Sequence, residues 1–244
     1  MPVRVTVAST AGSAPREAGA QMLVWPDRTE GTIGGGALEW DAMAEARRML
    51  ADGRKTHRAT IPLGPALGQC CGGSVSLVWE EAVALVEPVR RPLWIYGAGH
   101  VGRAIVHVMQ PLPDFAITWV DVAADRFPQT DVTTLVAVDP VQAVRHAPDD
   151  AAHLILTYSH QLDLALCHAI LSRPFESAGL IGSATKWARF RSRLAALGHT
   201  PAQIARIACP IGDTSLGKHP AALALGVATA MIGQQTSRSK ESRA

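Results

Sequence analysis

A glycine-rich turn between an apolar run and a helical pattern constrains this chain more than any other feature. Residues 93–96 read as a short buried strand, and Gly97, Gly99 and Gly102 follow it with the spacing Gly-x-Gly-x-x-Gly. In this pattern the first glycine permits a tight turn, the second lets a phosphate approach the backbone, and the third lets helix and strand pack closely. The helix start adds unpaired N–H groups and a positive dipole end. We therefore predict that these three glycines bind a nucleotide-like ligand.

The segments after this turn extend the same prediction. Residues 116–121 read as a second strand that ends in Asp121, at the distance where a carboxylate that binds ribose hydroxyls belongs. Strand patterns at 134–138, 154–158 and 177–181 then alternate with helical patterns, and the last of these is an apolar helix over 220–232. Such alternation predicts a Rossmann-like, doubly wound parallel sheet.

The first part of the chain has a different pattern. Four short strands are predicted, with one helix over 37–50 between the second and the third, and the strands are at 3–8, 21–25, 56–61 and 74–79. A polar, proline-bounded segment at 87–92 then marks a boundary. The predicted fold class is α/β, with a small N-terminal α/β domain over 1–88, a Rossmann-like domain over 92–235 and a disordered tail over 236–244.

Composition excludes several classes of protein. A formal net charge of +2 gives no electrostatic footprint for nucleic acid. No apolar run approaches the roughly 20 residues that span a bilayer, and the N-terminus lacks the pattern of a secretory signal. Four cysteines, two of them adjacent, do not suggest a disulfide framework. We expect a cytoplasmic protein with reduced thiols and neither nucleic-acid nor membrane partners.

Two glycine-rich loops in the first part are candidate sites. Gly34, Gly35 and Gly36 precede a helix, where they form either an anion nest of free N–H groups or a flexible turn. Cys70 and Cys71 lie in a glycine-flanked loop, as either accessible thiols or two buried cysteines. Adjacent cysteines without a second pair do not fit a zinc site.

Two strand-to-helix junctions in the second part are further candidates. Ser159 and His160 follow a predicted strand, but the glycines of a hydrolase nucleophile elbow are absent, so ligand binding is favoured over a catalytic triad. Ser183 begins another helix and could hold a phosphate or carboxylate. In both places a simple helix cap is the alternative. The helix after Ser183 is expected to carry Lys186 and three arginines on its exposed side.

Six motifs, taken in order, resemble the xanthine dehydrogenase accessory proteins of the XdhC/CoxI family, and the resemblance covers nearly the whole chain. They are Gly12-Ser-Ala-Pro-Arg16, Gly31-Thr-Ile-Gly-Gly-Gly36, Gly64-Pro-Ala-Leu-Gly-Gln-Cys-Cys-Gly-Gly73, Gly97-Ala-Gly-His-Val-Gly102, Gly179-Leu-Ile-Gly-Ser183 and Cys209-Pro-Ile-Gly212. Two features depart from the family. The chain starts directly at its first strand without a helical leader, which is expected to affect partner docking. Tyr158 stands where a histidine is commoner, which affects one expected ligand contact.

The resemblance implies a molybdenum cofactor chaperone. Such a protein binds molybdopterin, protects the cofactor while a cysteine desulfurase replaces one metal oxygen by sulfur, and delivers it to apo-xanthine dehydrogenase. Arg16 and the amides of residues 34–36 would offset the cofactor's negative charge, and Cys70 and Cys71 would contact molybdenum or shelter its sulfur. No catalytic acid or base is evident near residues 97–102, which favours a carrier over an enzyme.

Two other functions remain open at this point. One is an NAD-dependent oxidoreductase that uses residues 97–102 and Asp121, and the other is a nucleotide-binding regulatory module without chemistry. A nucleotide in the Rossmann site and a homodimer are compatible with each of the three functions.

Overall fold

The computed structural model describes residues 1–64 and 72–241, with side chains described through residue 233. The chain divides into two compact units, Met1–Glu87 and Pro88–Ala244. The first contains a five-stranded antiparallel sheet and the second a six-stranded parallel sheet. The predicted α/β fold class is therefore confirmed.

One helix packs against the sheet of the N-terminal unit. The strands are β1 (Val3–Ala11), β2 (Gln21–Val24), β3 (Thr29–Gly31), β4 (Thr56–Pro62) and β5 (Ser74–Glu81), in the order β3-β2-β1-β5-β4. Helix α1 (Gly36–Asp52) buries Leu38, Ala42 and Met49 against the inward face, to which β1 contributes Val3 and Val5. Side chains alternate across a strand, so one face of the sheet supplies this core.

The sheet of the second unit has the strand order of a Rossmann fold. Its strands are β6 (Arg91–Tyr96), β7 (Phe115–Asp121), β8 (Thr133–Val136), β9 (Ala152–Ile155), β10 (Ser177–Leu180) and β11 (Ile207–Ala208). They lie in the order β8-β7-β6-β9-β10-β11. The direction of winding reverses between β6 and β9, and open parallel sheets bind ligands at the carboxyl ends of strands at such a switch point.

Helices cover both faces of this sheet. They are α2 (His100–Met109), α3 (Pro140–Ala143), α4 (His160–Leu171), α5 (Ala184–Ala196), α6 (Pro201–Ile204) and α7 (Pro220–Glu241). Strand β6 shows the two layers clearly, because Leu93 and Ile95 join the core formed with α2 and α7. Trp94 and Tyr96 point to the other core, formed with α3, α4 and α5. No helix in the described ranges is long and apolar enough to cross a membrane.

Three expectations about local structure are corrected. The strand predicted over 154–158 ends at Ile155, because the N–H and hydroxyl of Thr157 bond to Asp163 and leave the sheet. The tail from 236, expected to be disordered, has a helical backbone up to Glu241. No proline or glycine interrupts the chain after Gly233, so a helix can extend one residue at a time. The sequence patterns do not predict strands β3 and β11.

Candidate functional site

Two glycines of the Rossmann turn are required by the backbone itself. Gly97 has φ +115°, and a Cβ there would lie 2.5 Å from the carbonyl oxygen of Leu156. A Cβ on Gly102 would collide with the carbonyl oxygen of Gly97. At Gly99, in contrast, a Cβ would meet nothing within 4 Å. Packing therefore explains Gly97 and Gly102, whereas Gly99 borders open space at the start of α2.

The start of α2 offers hydrogen-bond donors to that space. Gly99 is the N-cap residue, and no side chain caps the helix. The N–H groups of a helix's first turn have no carbonyl partner within the helix. Uncapped donors beside the open space at Gly99 fit a phosphate, while Gly97 and Gly102 maintain the shape of the turn.

Asp121, the predicted ribose ligand, is held inside the turn. Its carboxylate is buried and accepts hydrogen bonds from the N–H of Ala98 at 2.5 Å and of Val122 at 2.7 Å. It also forms an ion pair with Nε of Arg126 at 2.7 Å. A ribose hydroxyl would have to compete with these three partners, so the ribose contact stays a prediction.

Tyr158 lines the crevice where the sheet changes direction, and Arg126 lies over its ring. The guanidinium of Arg126 is 5.4 Å from the ring centre of Tyr158, whose side chain is exposed. The crevice is lined by residues that include Gly97, Asp121 and Thr157, and its volume is about 10 Å³. That space holds roughly one water molecule. A larger ligand at the switch point would require these side chains to move.

A buried ion pair connects the ends of β9 and β10. Asp163 is 1% exposed and accepts hydrogen bonds from Nζ of Lys186 at 2.6 Å and from the hydroxyl of Thr157 at 2.7 Å. Lys186 also donates to the carbonyl of Ile181 at 3.0 Å, and its side chain is 12% exposed. The expectation that Lys186 lies on the exposed side of α5 is therefore wrong, because the buried carboxylate needs a charged partner.

The polar candidates that follow β9 and β10 have two different roles. They are Ser159, His160 and Ser183. Ser159 accepts the N–H of Leu162 and caps α4, while Ser183 accepts the N–H of Lys186 and caps α5. Both side chains thus act as caps, although each hydroxyl proton is still free to reach a ligand. His160 is exposed at the first residue of α4. Of the three, His160 and Ser183 line a common groove, described below.

Described parts of three predicted motifs meet at one end of the N-terminal sheet. They are the loop 12–16, the loop 31–36 and Gly73. A Cβ on Gly34 would lie 2.6 Å from Cβ of Pro15 and 3.2 Å from Cγ of Arg16, so the first two loops are in contact. A Cβ on Gly73 would collide with the carbonyl oxygen of Ser13, so Gly73, just before β5, also lies against the first of these loops. The predicted metal contacts Cys70 and Cys71 fall outside the described residues.

The glycine turn before α1 already holds a carboxylate. Oε2 of Glu39 accepts hydrogen bonds from the hydroxyl of Thr32 at 2.5 Å, the N–H of Ile33 at 2.9 Å and the N–H of Gly35 at 3.1 Å. Burial opposes the charged form, but the hydrogen bonds from Thr32 and the backbone together lower the pKa of Glu39. We did not predict this residue, although an acid in a helix's first turn is a known capping signal.

The described thiols are poor candidates for chemistry. Burial raises the pKa of Cys167 to about 12 and that of Cys209 to about 11, so both are protonated at neutral pH. Within the ranges that the structure covers, no group of three or more histidine, cysteine or acidic side chains could hold a metal ion. The metal contact predicted for Cys70 and Cys71 stays a prediction.

Known proteins resemble the chain over both units. Residues 93–231 match the family described as the XdhC Rossmann domain, and residues 2–61 match the XdhC and CoxI family. The uncharacterized protein YqeB of Escherichia coli (strain K12) is 30% identical over 234 residues, or 91% of this chain. The chain spans only 41% of YqeB.

A solved structure agrees in fold. The crystal structure of a Bacillus halodurans protein described as a xanthine dehydrogenase matches with a TM-score of 0.81 at 20% identity. The match covers 98% of this chain and 93% of that one, so the two share a fold across both units. Because the Rossmann-domain match alone spans more than half of the sequence, the chain belongs to the XdhC and CoxI family.

Proposed function

We propose that this protein is a maturation factor that binds molybdenum cofactor, shields it while a cysteine desulfurase exchanges one metal oxygen for sulfur, and delivers it to apo-xanthine dehydrogenase. Family membership supports a maturation role. The observation that carries the proposal is that residues 12–16 and 31–36 meet at one end of the N-terminal sheet, with Gly73 against the first of these loops. These loops contain the motifs that most resemble the family.

The positive charge at this end of the N-terminal sheet suits an anionic ligand. It comes from Arg16 more than from the N–H groups of residues 34–36. Arg16 lies beside Gly34, and its side chain is 41% exposed. Glu39 already occupies the N–H groups of Ile33 and Gly35 with a negative charge, which weakens the turn as an anion site. The phosphate of molybdopterin would therefore bind mainly through the Arg16 guanidinium.

Cys70 and Cys71 belong to the motif that ends in Gly73. A thiolate is a soft metal ligand, which suits a molybdenum centre better than a hydroxyl does. When bound, the cofactor would supply the metal centre that the dehydrogenase needs, and the protein's own residues would bind it and exclude water. The loop before α2 is proposed to hold the phosphate of a nucleotide at Gly99, separately from the cofactor.

The test is to measure cofactor retained by purified protein. Wild type, Arg16→Gln and the Cys70→Ser/Cys71→Ser double variant are produced in a host that makes molybdopterin, and the pterin is quantified by fluorescence after oxidation. Thermal midpoints are measured on the same samples. We expect lower pterin content with unchanged midpoints in both variants, because the changes remove ligand contacts and leave the fold intact.

The matched control is Arg28→Gln, which removes an exposed arginine at the other end of β3, where Arg28 is 4.2 Å from the ring centre of Trp25. This variant should retain as much pterin as wild type. Full retention in the double cysteine variant would show that the thiols are not ligands. Absence of pterin from wild type purified from that host would overturn the proposed function.

A further inference from the structure

A basic groove opens along α5 where β9 and β10 end, and we call it the α5 groove. Its volume is about 560 Å³, within the size range of small-molecule sites. Hydroxyl, cationic and imidazole side chains make up most of its wall, and no carboxylate is among them. The lining residues are His160, Ser183, Thr185, Lys186, Arg189, Phe190, Ser192 and Arg193.

Two arginines supply unneutralised positive charge. Arg189 and Arg193 are exposed and lie four residues apart, on one face of α5. The guanidinium group of neither arginine forms an ion pair or hydrogen bond with any residue in the described part of the chain. Like charges at this spacing destabilise a helix by about 0.2–0.5 kcal/mol. An anion placed between the two guanidinium groups would replace that repulsion with attraction.

Lys186 makes the floor of the groove neutral. Its ammonium is paired with the buried carboxylate of Asp163 at 2.6 Å, so the two charges cancel beneath the arginines. The ring of Phe190 completes the floor and is buried. The groove therefore combines an apolar and neutral base with a cationic rim.

Hydroxyl groups add donors at the same rim. The Ser183 oxygen accepts the backbone N–H of Lys186 at 3.1 Å, which leaves its own proton to donate outward. Thr185 and Ser192 are exposed in the same wall. Two planar guanidinium groups with nearby hydroxyls are the donor set that recognises phosphate oxygens.

We propose that the α5 groove binds a small phosphomonoester, with Arg189 and Arg193 on its oxygens and Ser183 donating its hydroxyl. The residues of this groove differ from those of the glycine turn before α2, so the inference does not depend on the proposed function. The phosphate of a free nucleotide and that of a pterin cofactor are recognised by the same chemistry, so the experiment distinguishes these two sources.

Calorimetric titration with AMP tests the proposal, with adenosine as the uncharged comparison. Wild type should bind AMP and not adenosine. In a Gly99→Val background, which removes binding at the glycine turn, the Arg189→Gln/Arg193→Gln change should weaken AMP binding about a hundredfold, since each lost charge-assisted contact costs about tenfold. The control Arg191→Gln removes a neighbouring arginine that lines a different cavity, and it should change affinity less than about twofold.

A second variant separates this site from the glycine turn. Gly99→Val blocks the space before α2 and should leave AMP binding by the α5 groove intact. AMP binding that disappears in Gly99→Val and persists in the double arginine variant would overturn the proposal, as would no AMP binding by wild type. Pterin content of the double arginine variant distinguishes the sources, because it falls only if the groove holds the cofactor's phosphate.

Discussion

The glycine-rich turns before α1 and before α2 each bind a carboxylate of the protein itself, but the two carboxylates come from different places. Before α1, the carboxylate comes from Glu39 in the same helix and takes the N–H groups of Ile33 and Gly35. Before α2, it comes from Asp121 on a neighbouring strand and takes the N–H of Ala98. The first turn therefore carries its own negative charge at the helix start. In the second, Asp121 is neutralised by Arg126 and the helix start has no side-chain cap.

This difference shows what a glycine motif does and does not specify. Glycines with positive φ determine the shape of the backbone and the direction of its N–H groups. Whether those N–H groups can bind a ligand depends on the acceptors that the protein itself places there. An internal carboxylate converts an anion site into a structural cap, and the sequence of the glycine run alone does not distinguish the two.

Alanine substitution in the second turn should give the largest effect. We expect Gly102→Ala to lower the free energy of unfolding by at least about 3 kcal/mol, because its Cβ collides with the Gly97 carbonyl. Gly99→Ala should change it by less than about 0.5 kcal/mol, since the same atom meets nothing there. Urea unfolding measures both. Equal losses would mean that Gly99 is also a packing residue.

A measurement of the pH dependence that Glu39 contributes to stability first requires the contribution of His153 to be removed. Burial, together with the charge of Arg173, lowers the pKa of this histidine from 6.5 to about 4. The unfolded chain takes up the proton first, so stability is complete above pH 6.5 and declines as pH falls toward 4. The loss should be on the order of 3 kcal/mol. His153→Leu should lack this slope in unfolding measured across that range.

Asp121→Asn tests the carboxylate of the second turn. An amide cannot accept from both Ala98 and Val122, since its NH₂ group would oppose one of these N–H donors. Arg126 also loses its ion-pair partner. We expect a loss of about 2 kcal/mol in the free energy of unfolding. An unchanged free energy of unfolding would indicate that the loop rearranges around the amide.

Glu39→Gln is the matching change in the first turn and should have a smaller effect. Glu39 is only half-buried, so water can replace its bonds, and a loss of about 1 kcal/mol is expected at neutral pH. Because the folded pKa is below the ordinary 4.5, the contribution of Glu39 is complete above that pH and declines as pH falls through the folded value. In a His153→Leu background, Glu39→Gln should therefore reduce the fall in the free energy of unfolding at acidic pH.

The last prediction concerns catalysis, where we expect no turnover. The oxygens of Asp121 are occupied by protein donors, which leaves them poorly placed to bind the ribose hydroxyls of NADH. We expect no steady oxidation of NADH with purine or aldehyde substrates, as followed by absorbance. Sustained turnover that Gly99→Val abolishes would favour the oxidoreductase and remove the contrast between the turns.

Local sequence signals predicted the scaffold better than the site. The apolar run 93–96, the glycine spacing and the acid at the end of β7 were sufficient to predict a Rossmann-like sheet. The pairing of Asp163 with Lys186 joins residues 23 positions apart and depends on how β9 and β10 align. Strand β11 has two residues, too few for any periodicity. Contacts that tertiary packing creates produce no regular spacing of residues in the sequence, so a sequence pattern does not predict them.

Asp163 also determines how the second half of the sheet can move. Its carboxylate joins the segment after β9, the first turn of α4 and the first turn of α5. Breaking a buried ion pair by removing one partner typically costs about 3–5 kcal/mol, so these segments should shift together as a rigid body. A ligand in the α5 groove would meet a surface that is already ordered and would lose little affinity to the ordering of loops.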